Sequence, residues 1–393
     1  MRIPITKPYF GAEEAAAIVK PLETGWVVQG PYVAEFEQQF AKFTGAAHAI
    51  ATTSCTTALH IAVALLGLQP GDEVIVPAFT WISTANVVEF MGATPIFCDI
   101  DLQTFNIDVK QIESHITDRT VGIIPVHLFG LCADMTAIQA IAEKHHLWIV
   151  EDAACAMGAW YHGQHAGTLG DLGCFSFHPR KSITTGEGGM ITTNRDDYAQ
   201  LSQTLRDHGA SRSDLARHTE KAAFLLAEYN HLGFNYRMTD FQGAVGTVQM
   251  ARADWILTQR RNLAERYDEL LTDLPWLVPP YTPAGYVHGV QAYVSLFCPQ
   301  RPTLENVEHL HEQRNELMMA LEQIGISTRQ GTHAPVILGY YADKYDLAPA
   351  QFPNAYLADR LSFTLPIYPQ MTEAEQAFVY QKLVEVFDAQ APA

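Results

Sequence analysis

Between Ala46 and Asp152, short β-rich apolar runs alternate with helix-patterned segments, and no other feature of the chain restricts its fold so sharply. AHAIAT, EVIVPAF, TPIFCDI, VGIIPVHLF and LWIVED read as strands. SCTTALHIAVALLG, TANVVEFMG, the stretch Asp108 to His115 and MTAIQAIAEKHH read as the helices between them, the first opening on a hydroxyl cap. Strands joined at this spacing by helices make right-handed crossovers and a mostly parallel sheet covered on both faces. Such sheets hold their ligands beyond the carboxyl ends of the strands. Phe79 to Trp81, His127, Glu151 to Asp152 and the loop after Phe177 all fall there.

The flanks divide the rest. Residues 1–45 predict an N-terminal lead-in with helices at about 11–23 and 31–44, packed on the other units. Residues 46–275 form the large α/β domain, whose last part, from about 195, is mostly helical around the loop Asn230 to Thr239. The proline-containing stretch Leu274 to Pro283 marks the boundary to a smaller α+β domain, 276–393. That domain carries a strand at YVSLFCP and helices at about 305–325 and 372–388. A chain of 393 residues exceeds what a single core serves well, which supports two domains.

Charge and cysteine usage exclude several roles. The net charge of -18 repels phosphate backbones, so nucleic acid is not an expected partner, and any bound phosphate must be held locally. No 18-residue uncharged apolar run and no apolar leader region occur, which predicts neither a membrane span nor secretion. Cysteines 55, 98, 132, 155, 174 and 298 show no CxxC pairing, as expected of reduced thiols in a cytoplasmic protein without a metal site.

Chemistry concentrates in Gly173 to Met190, GCFSFHPRKSITTGEGGM. A short apolar run passes through Pro179 into a loop with Lys181 and the glycines of GEGG. A lysine partly desolvated there, beside glycines that admit close backbone, loses its proton more easily, as a Schiff-base lysine must. Four further features converge on the same edge. Ser54, Cys55 and Thr56 open a helix and offer free amides and hydroxyls to an anion. Asp152 ends a buried strand, where a carboxylate can pair with a protonated pyridine nitrogen. Trp81 offers an aromatic face to a planar ring, and Ser176 a further phosphate donor. Each has an ordinary structural explanation alone: a hairpin lysine, an N-cap, a helix-capping carboxylate, a core aromatic, a strand serine.

Their joint order resembles the DegT/StrS-type sugar aminotransferases, pyridoxal 5'-phosphate (PLP) enzymes of the aspartate-aminotransferase fold. The resemblance runs through GWVVQGPYVAEFEQQF, TSCTTALH, VPAFTWISTAN, PVHLFG, VEDAACAMGAWYHG, FSFHPRKSITTGEGGM, FNYRMTDFQGAVGTVQM and SFTLPIYPQMT. It implies the PLP fold type I, with a seven-stranded-type sheet in the large domain. It makes Lys181 the internal-aldimine lysine and proton shuttle, Asp152 the partner of the pyridine nitrogen and Trp81 the stacking residue. Ser54, Cys55, Thr56 and Ser176 would hold the phosphate. Asn235, in the NYRMTD segment, would reach the other subunit's phosphate across a homodimer, which suits a loop rich in aromatics and glycine. Two positions depart from the pattern. Cys155 stands where Gln, His or Glu commonly faces the cofactor's phenolic oxygen, and a thiol is a weak donor. Cys55 replaces a usual glycine.

The reaction implied is transfer of an amino group from L-glutamate to a nucleotide-linked keto-deoxysugar, at C3 or C4. Thr328 to His333 aligns with a family loop near the sugar nucleotide, which makes Arg329 and His333 candidate substrate contacts. A dehydratase subgroup carries histidine in place of the lysine, and a non-catalytic regulatory member would lack the lysine or the aspartate. Lys181 and Asp152 weigh against both alternatives.

Overall fold

The computed structural model describes residues 2–211 and 227–390. Its centre is a seven-stranded sheet in the order β1-β9-β8-β5-β4-β2-β3. The strands are β1 (His48–Thr52), β2 (Glu73–Pro77), β3 (Thr94–Cys98), β4 (Thr120–Ile123), β5 (Trp148–Asp152), β8 (Leu172–Ser176) and β9 (Gly189–Thr193). β2, β3, β4, β5 and β8 pair in parallel; β9 runs antiparallel to both its neighbours. β2 is buried along its whole length, as expected of a strand covered on both faces.

Two apolar clusters lie on the two faces. One packs α3 (Cys55–Leu65) and α4 (Ser83–Phe90) through Leu59, Ile61, Val87 and Val88. The other packs α2 (Pro31–Thr44), α5 (Val109–Ile112) and α6 (Met135–His145) through Phe36, Phe40, Ile112, Met135 and Ile138. α1 (Ala12–Thr24) and α2 begin the chain where the helical periodicity puts them. Asp240 fixes the start of α2: its Oδ1 accepts from the amides of Gly30 at 3.0 Å and Val33 at 2.9 Å. The aspartate of the NYRMTD segment therefore caps a helix 207 residues away.

A second, three-stranded antiparallel sheet, β10 (Leu277–Val278), β12 (Tyr293–Phe297) and β13 (Ser362–Leu365), packs with the helices Val307–Gln323 and Glu373–Gln390. Its apolar cluster also takes in Ile3 and the residues Leu263, Tyr267 and Leu271 of the helix Ala253–Leu271. The N-terminal segment is sewn to it by Ile3 N to Gly325 O at 2.7 Å and Ile367 N to Ile5 O at 3.1 Å. A small third sheet of β6 (Trp160–Tyr161), β7 (Gln164–His165) and β11 (Tyr286–Val287) joins the segment before β8 to the chain just beyond Pro283. The helical stretch expected from 195 is α7 (Asp196–Arg206), then Asp240–Ala251 and Ala253–Leu271; its portion at 212–226 lies outside the described residues.

Candidate active site at the strand ends

β8 and β9 form an antiparallel hairpin, and Phe177 to Gly188 is its connection. The connection folds inward, because Phe177 O accepts from Thr185 N at 3.1 Å and from Thr184 Oγ1 at 2.7 Å. Ser182 to Thr185 are buried as a result. Lys181 thereby sits at the rim of the sheet, with Nζ 3.1 Å from Cys155 Sγ. Gly189 completes the geometry. A Cβ there would lie 2.3 Å from Ser54 O and 2.7 Å from Cys55 N, so only glycine lets β9 pass so close to the start of α3. Ser176 is its pairing partner on β8, which puts that hydroxyl beside the helix start.

That start leaves backbone donors free. Ser54 is in extended conformation and its Oγ accepts from Thr57 N at 3.2 Å. The amides of Cys55 and Thr56 fall in the first turn, where no intrahelical acceptor exists. Cys55 points its thiol to Cys174 O at 3.5 Å, and burial pushes that thiol well above the ordinary range.

Asp152, at the tip of β5, is buried. Its Oδ2 accepts from Thr84 Oγ1 at 2.7 Å and its Oδ1 from Ala154 N at 3.2 Å. Burial raises its pKa from the ordinary value, outweighing the lowering by Thr84, Ala154, Lys181 and His127. The lysine departs from what its placement suggests. Burial does push the ammonium down, but the Cys155 contact, with Cys55 and Asp152, outweighs it, and the net direction is up. The desolvation of Lys181 is therefore offset by its neighbours.

Trp81 lies just past β2 and is 59% exposed. The residue that faces it is His333, with ring centroids 6.1 Å apart, and the backbones meet through Thr80 N to His333 O at 3.0 Å. Arg329 stands at the other end of the same short loop, tied to β13 by Thr364 N to Arg329 O at 2.7 Å. It lines a cleft with Arg180, Gln291 and Thr364. Asn235 is exposed, and its side chain meets no hydrogen-bond partner among the described residues. Its neighbours are held: Tyr236 O accepts from Thr53 N at 3.0 Å, Tyr236 stacks on Phe234, and Arg237 pairs with Asp207.

Two residues at the strand ends are turned away from this edge. His127 and Glu151 are fully buried and bonded to each other, Nε2 to Oε2 at 2.7 Å. Ala133 N donates to His127 Nδ1, so Nε2 carries the proton toward Glu151. Glu151 also accepts from the amides of Gly167, Leu169 and Gly170 at 2.6–2.7 Å. Side chains alternate along β5, so Asp152 meets the site while its neighbour clasps the loop before β8. Thr84 and Arg180 are the residues that sequence reasoning passed over. Nothing in TANVVEF marks Thr84 as a donor to a carboxylate 68 positions on, whereas Arg180 stood beside Lys181 inside the motif.

The DegT/DnrJ/EryC1/StrS aminotransferase family matches residues 8–384. The chain belongs to that family. Its enzymes are PLP-dependent sugar aminotransferases, and that is the class of this enzyme. The spore coat polysaccharide biosynthesis protein SpsC of Bacillus subtilis (strain 168) is 36% identical over 372 residues, covering 94% of this chain and 93% of its own length. Among solved structures, DesV of S. venezuelae matches with a TM-score of 0.87 and 30% identity, each chain covered completely. Spr1654 of Streptococcus pneumoniae, solved in a PLP-form and a PMP-form, matches with a TM-score of 0.90 and 26% identity. The PLP-form covers both chains in full. Within this family the aspartate-aminotransferase-like sheet of seven strands is the shared frame.

Proposed function

We propose that this aminotransferase moves an amino group from L-glutamate to a nucleotide-linked keto-deoxysugar, at C3 or C4, with Lys181 as its attachment and proton-transfer residue. One observation supports this above the others: a lysine, not a histidine, stands on the inward-folded hairpin at the tip of β8, in one cluster with Asp152 and the start of α3. The residue set fits the family's cofactor. Asp152 is a buried carboxylate whose charge is disfavoured, and a protonated ring nitrogen is the cation that would offset that cost. When bound, PLP supplies a carbonyl that exchanges amines and an electron-poor ring that accepts carbanion charge.

The protein's own part is to hold and to move a proton. Thr84 and the Ala154 amide fix the Asp152 carboxylate, so its orientation is set before a ligand arrives. Trp81 presents a ring face at the same edge. The amides of Cys55 and Thr56, with Ser54 and Ser176, take the phosphate at the positive end of α3. Cys155, within 3.1 Å of Lys181 Nζ, steadies the amine where longer polar residues commonly stand in the family. Lys181 Nζ is the amine that would attach the cofactor and, when free, would hold or pass on a proton at the substrate carbon.

Asn235, exposed on its loop, would complete the phosphate site of a second copy, giving a homodimer with shared sites. The described residues contain no helix long and apolar enough to cross a membrane. None of the six thiols is in a disulfide, which suits a reducing cytoplasm. The test is turnover with glutamate against a panel of nucleotide ketosugars. Lys181→Ala should lose at least about 10²–10⁴-fold in rate. Full turnover in that variant would sink the assignment, and release of water from the sugar without nitrogen transfer would establish the dehydratase instead.

A further inference from the structure

Three glutamine side chains hold the backbone of the β8–β9 connection that carries Lys181. Two belong to the helix Asp240–Ala251: Gln242 Nε2 donates to Glu187 O at 2.7 Å, and Gln249 Oε1 accepts from Thr184 N at 3.3 Å. The third comes from the side of the second sheet. Gln291, two positions before β12, donates from Nε2 to Arg180 O at 2.7 Å. That carbonyl belongs to the peptide unit that enters Lys181, and the amide at the other end of the unit, Lys181 N, donates to His178 O at 2.8 Å. A peptide unit is planar, so bonds at both ends restrict the direction in which the lysine leaves the backbone. One of those bonds is local to the hairpin; the other is made by Gln291.

The segment that presents Gln291 is held in a strained conformation. Val290 has φ 48°, a left-handed backbone that a β-branched residue rarely adopts. Phe129, whose carbonyl accepts from Gln291 N at 3.0 Å, has φ 57°. Arg260 secures the carbonyls on this segment. It is 1% exposed, donates from Nε to Val290 O at 2.8 Å and from its other nitrogen to Gln291 O, and bonds no carboxylate among the described residues. Burying a guanidinium against carbonyls alone is unfavourable. Gly130 packs just as closely, since a Cβ there would lie 2.9 Å from Val290 N. Strain persists only where the surroundings over-determine it, and it collects where position matters to function. What this segment offers the hairpin is Gln291. We propose that Gln291 is a positioning residue for Lys181, acting through the peptide unit between Arg180 and Lys181 and making the placement of the amine depend on how the second sheet seats against the first. This rests on the reading of Lys181 as the attachment residue.

The test compares two variants of the full chain. Gln291→Glu keeps the length of the side chain but turns an acceptor toward the Arg180 carbonyl; Gln291→Lys keeps an N–H donor at similar reach. In the cofactor-free protein, Gln291→Glu should speed hydrogen exchange at the Lys181 amide and leave the amides of β8 unchanged. When PLP is added, the rate at which borohydride-fixable cofactor accumulates on Lys181 should fall roughly 10- to 100-fold, the scale on which a misplacement of about 1 Å acts. kcat should fall by a similar factor with KM for L-glutamate and for the ketosugar unchanged, while Tm drops by no more than about 4 °C. Gln291→Lys should recover most of the attachment rate, which a side chain needed only for packing would not do. The proposal is overturned if Gln291→Glu attaches PLP at the wild-type rate, or if Gln291→Lys is as slow as Gln291→Glu. It is equally overturned if the variants change only a KM, since Gln291 would then be a substrate contact. A wild-type label fixed on a lysine other than Lys181 would overturn the attachment assignment and the proposal with it, whereas the other outcomes leave that assignment standing.

Discussion

At the scale of single residues, the site combines groups that the fold alone would not favour. Asp152 is buried with a raised pKa, so its charged form destabilises the ligand-free protein. The sign follows from linkage. A group whose folded pKa lies above its unfolded one contributes stability below the unfolded value and loses it as pH rises through the folded value. Near pH 7 the cofactor-free Asp152→Asn protein should therefore melt at the same or a higher temperature than wild type, while losing cofactor affinity and turnover. A lower Tm at pH 7 would show that the carboxylate is held for structure instead. The placement of Asp152 at a strand end, and of Trp81 and Lys181 in the loops just beyond β2 and β8, could be read from the sequence because the apolar runs before them are easy to see. Their partners could not. Thr84 and His333 reach them from other elements, and which side chains meet there depends on packing that no local pattern encodes.

At the scale of elements, the crossover architecture could be read from alternation between Ala46 and Asp152, and the start of α3 from its hydroxyl cap. VGIIPVHLF was the exception. It reads as one strand, but β4 stops at Ile123 because Pro125 has no amide to give the ladder. The bonds beyond it come from single contacts such as His127 N to Asp152 O at 3.0 Å. The clasp of Glu151 was also illegible, since adjacent acids at a strand end look alike until the pleat separates them. It has a measurable consequence. Glu151 accepts from His127 and three backbone amides in a fully buried place. Glu151→Gln replaces one acceptor oxygen by a donor and should cost about 3 kcal/mol or more. The midpoint of urea unfolding should fall accordingly, and an unchanged midpoint would mean that the clasp adds nothing.

At the scale of the whole molecule, the two sheets meet through the N-terminal segment, the helix Ala253–Leu271 and the loop Arg329 to His333, which brings the second sheet's residues to the first sheet's edge. We infer that the division near Leu274 separates a cofactor-binding unit from a smaller one that supplies substrate contacts. Stability should depend on acid in a defined window. Burial lowers the pKa of His165 to about 4, where Gly158 N donates to Nε2 and Nδ1 bonds Ala166 O. A depressed histidine contributes stability above its unfolded value, near 6.5, that is lost as pH falls toward 4. Tm should decline across that interval, and His165→Asn should flatten the decline; an equally steep profile in the variant would assign it to other groups.

The shared-site dimer has its own test. Asn235→Ala should weaken PLP retention, and mixing it with Lys181→Ala chains should restore activity to a fraction of hybrid dimers. No recovery on mixing would confine each site to one chain. The central claim, that Lys181 is the cofactor's attachment point in a cluster with Asp152, is tested most directly by reducing the PLP-loaded protein with borohydride and mapping the labelled peptide. The account predicts a single stable adduct on Lys181, within the peptide spanning Ser176 to Gly189, and none in Lys181→Ala. A label on another lysine, or no label at all in a protein that still retains PLP, would contradict it.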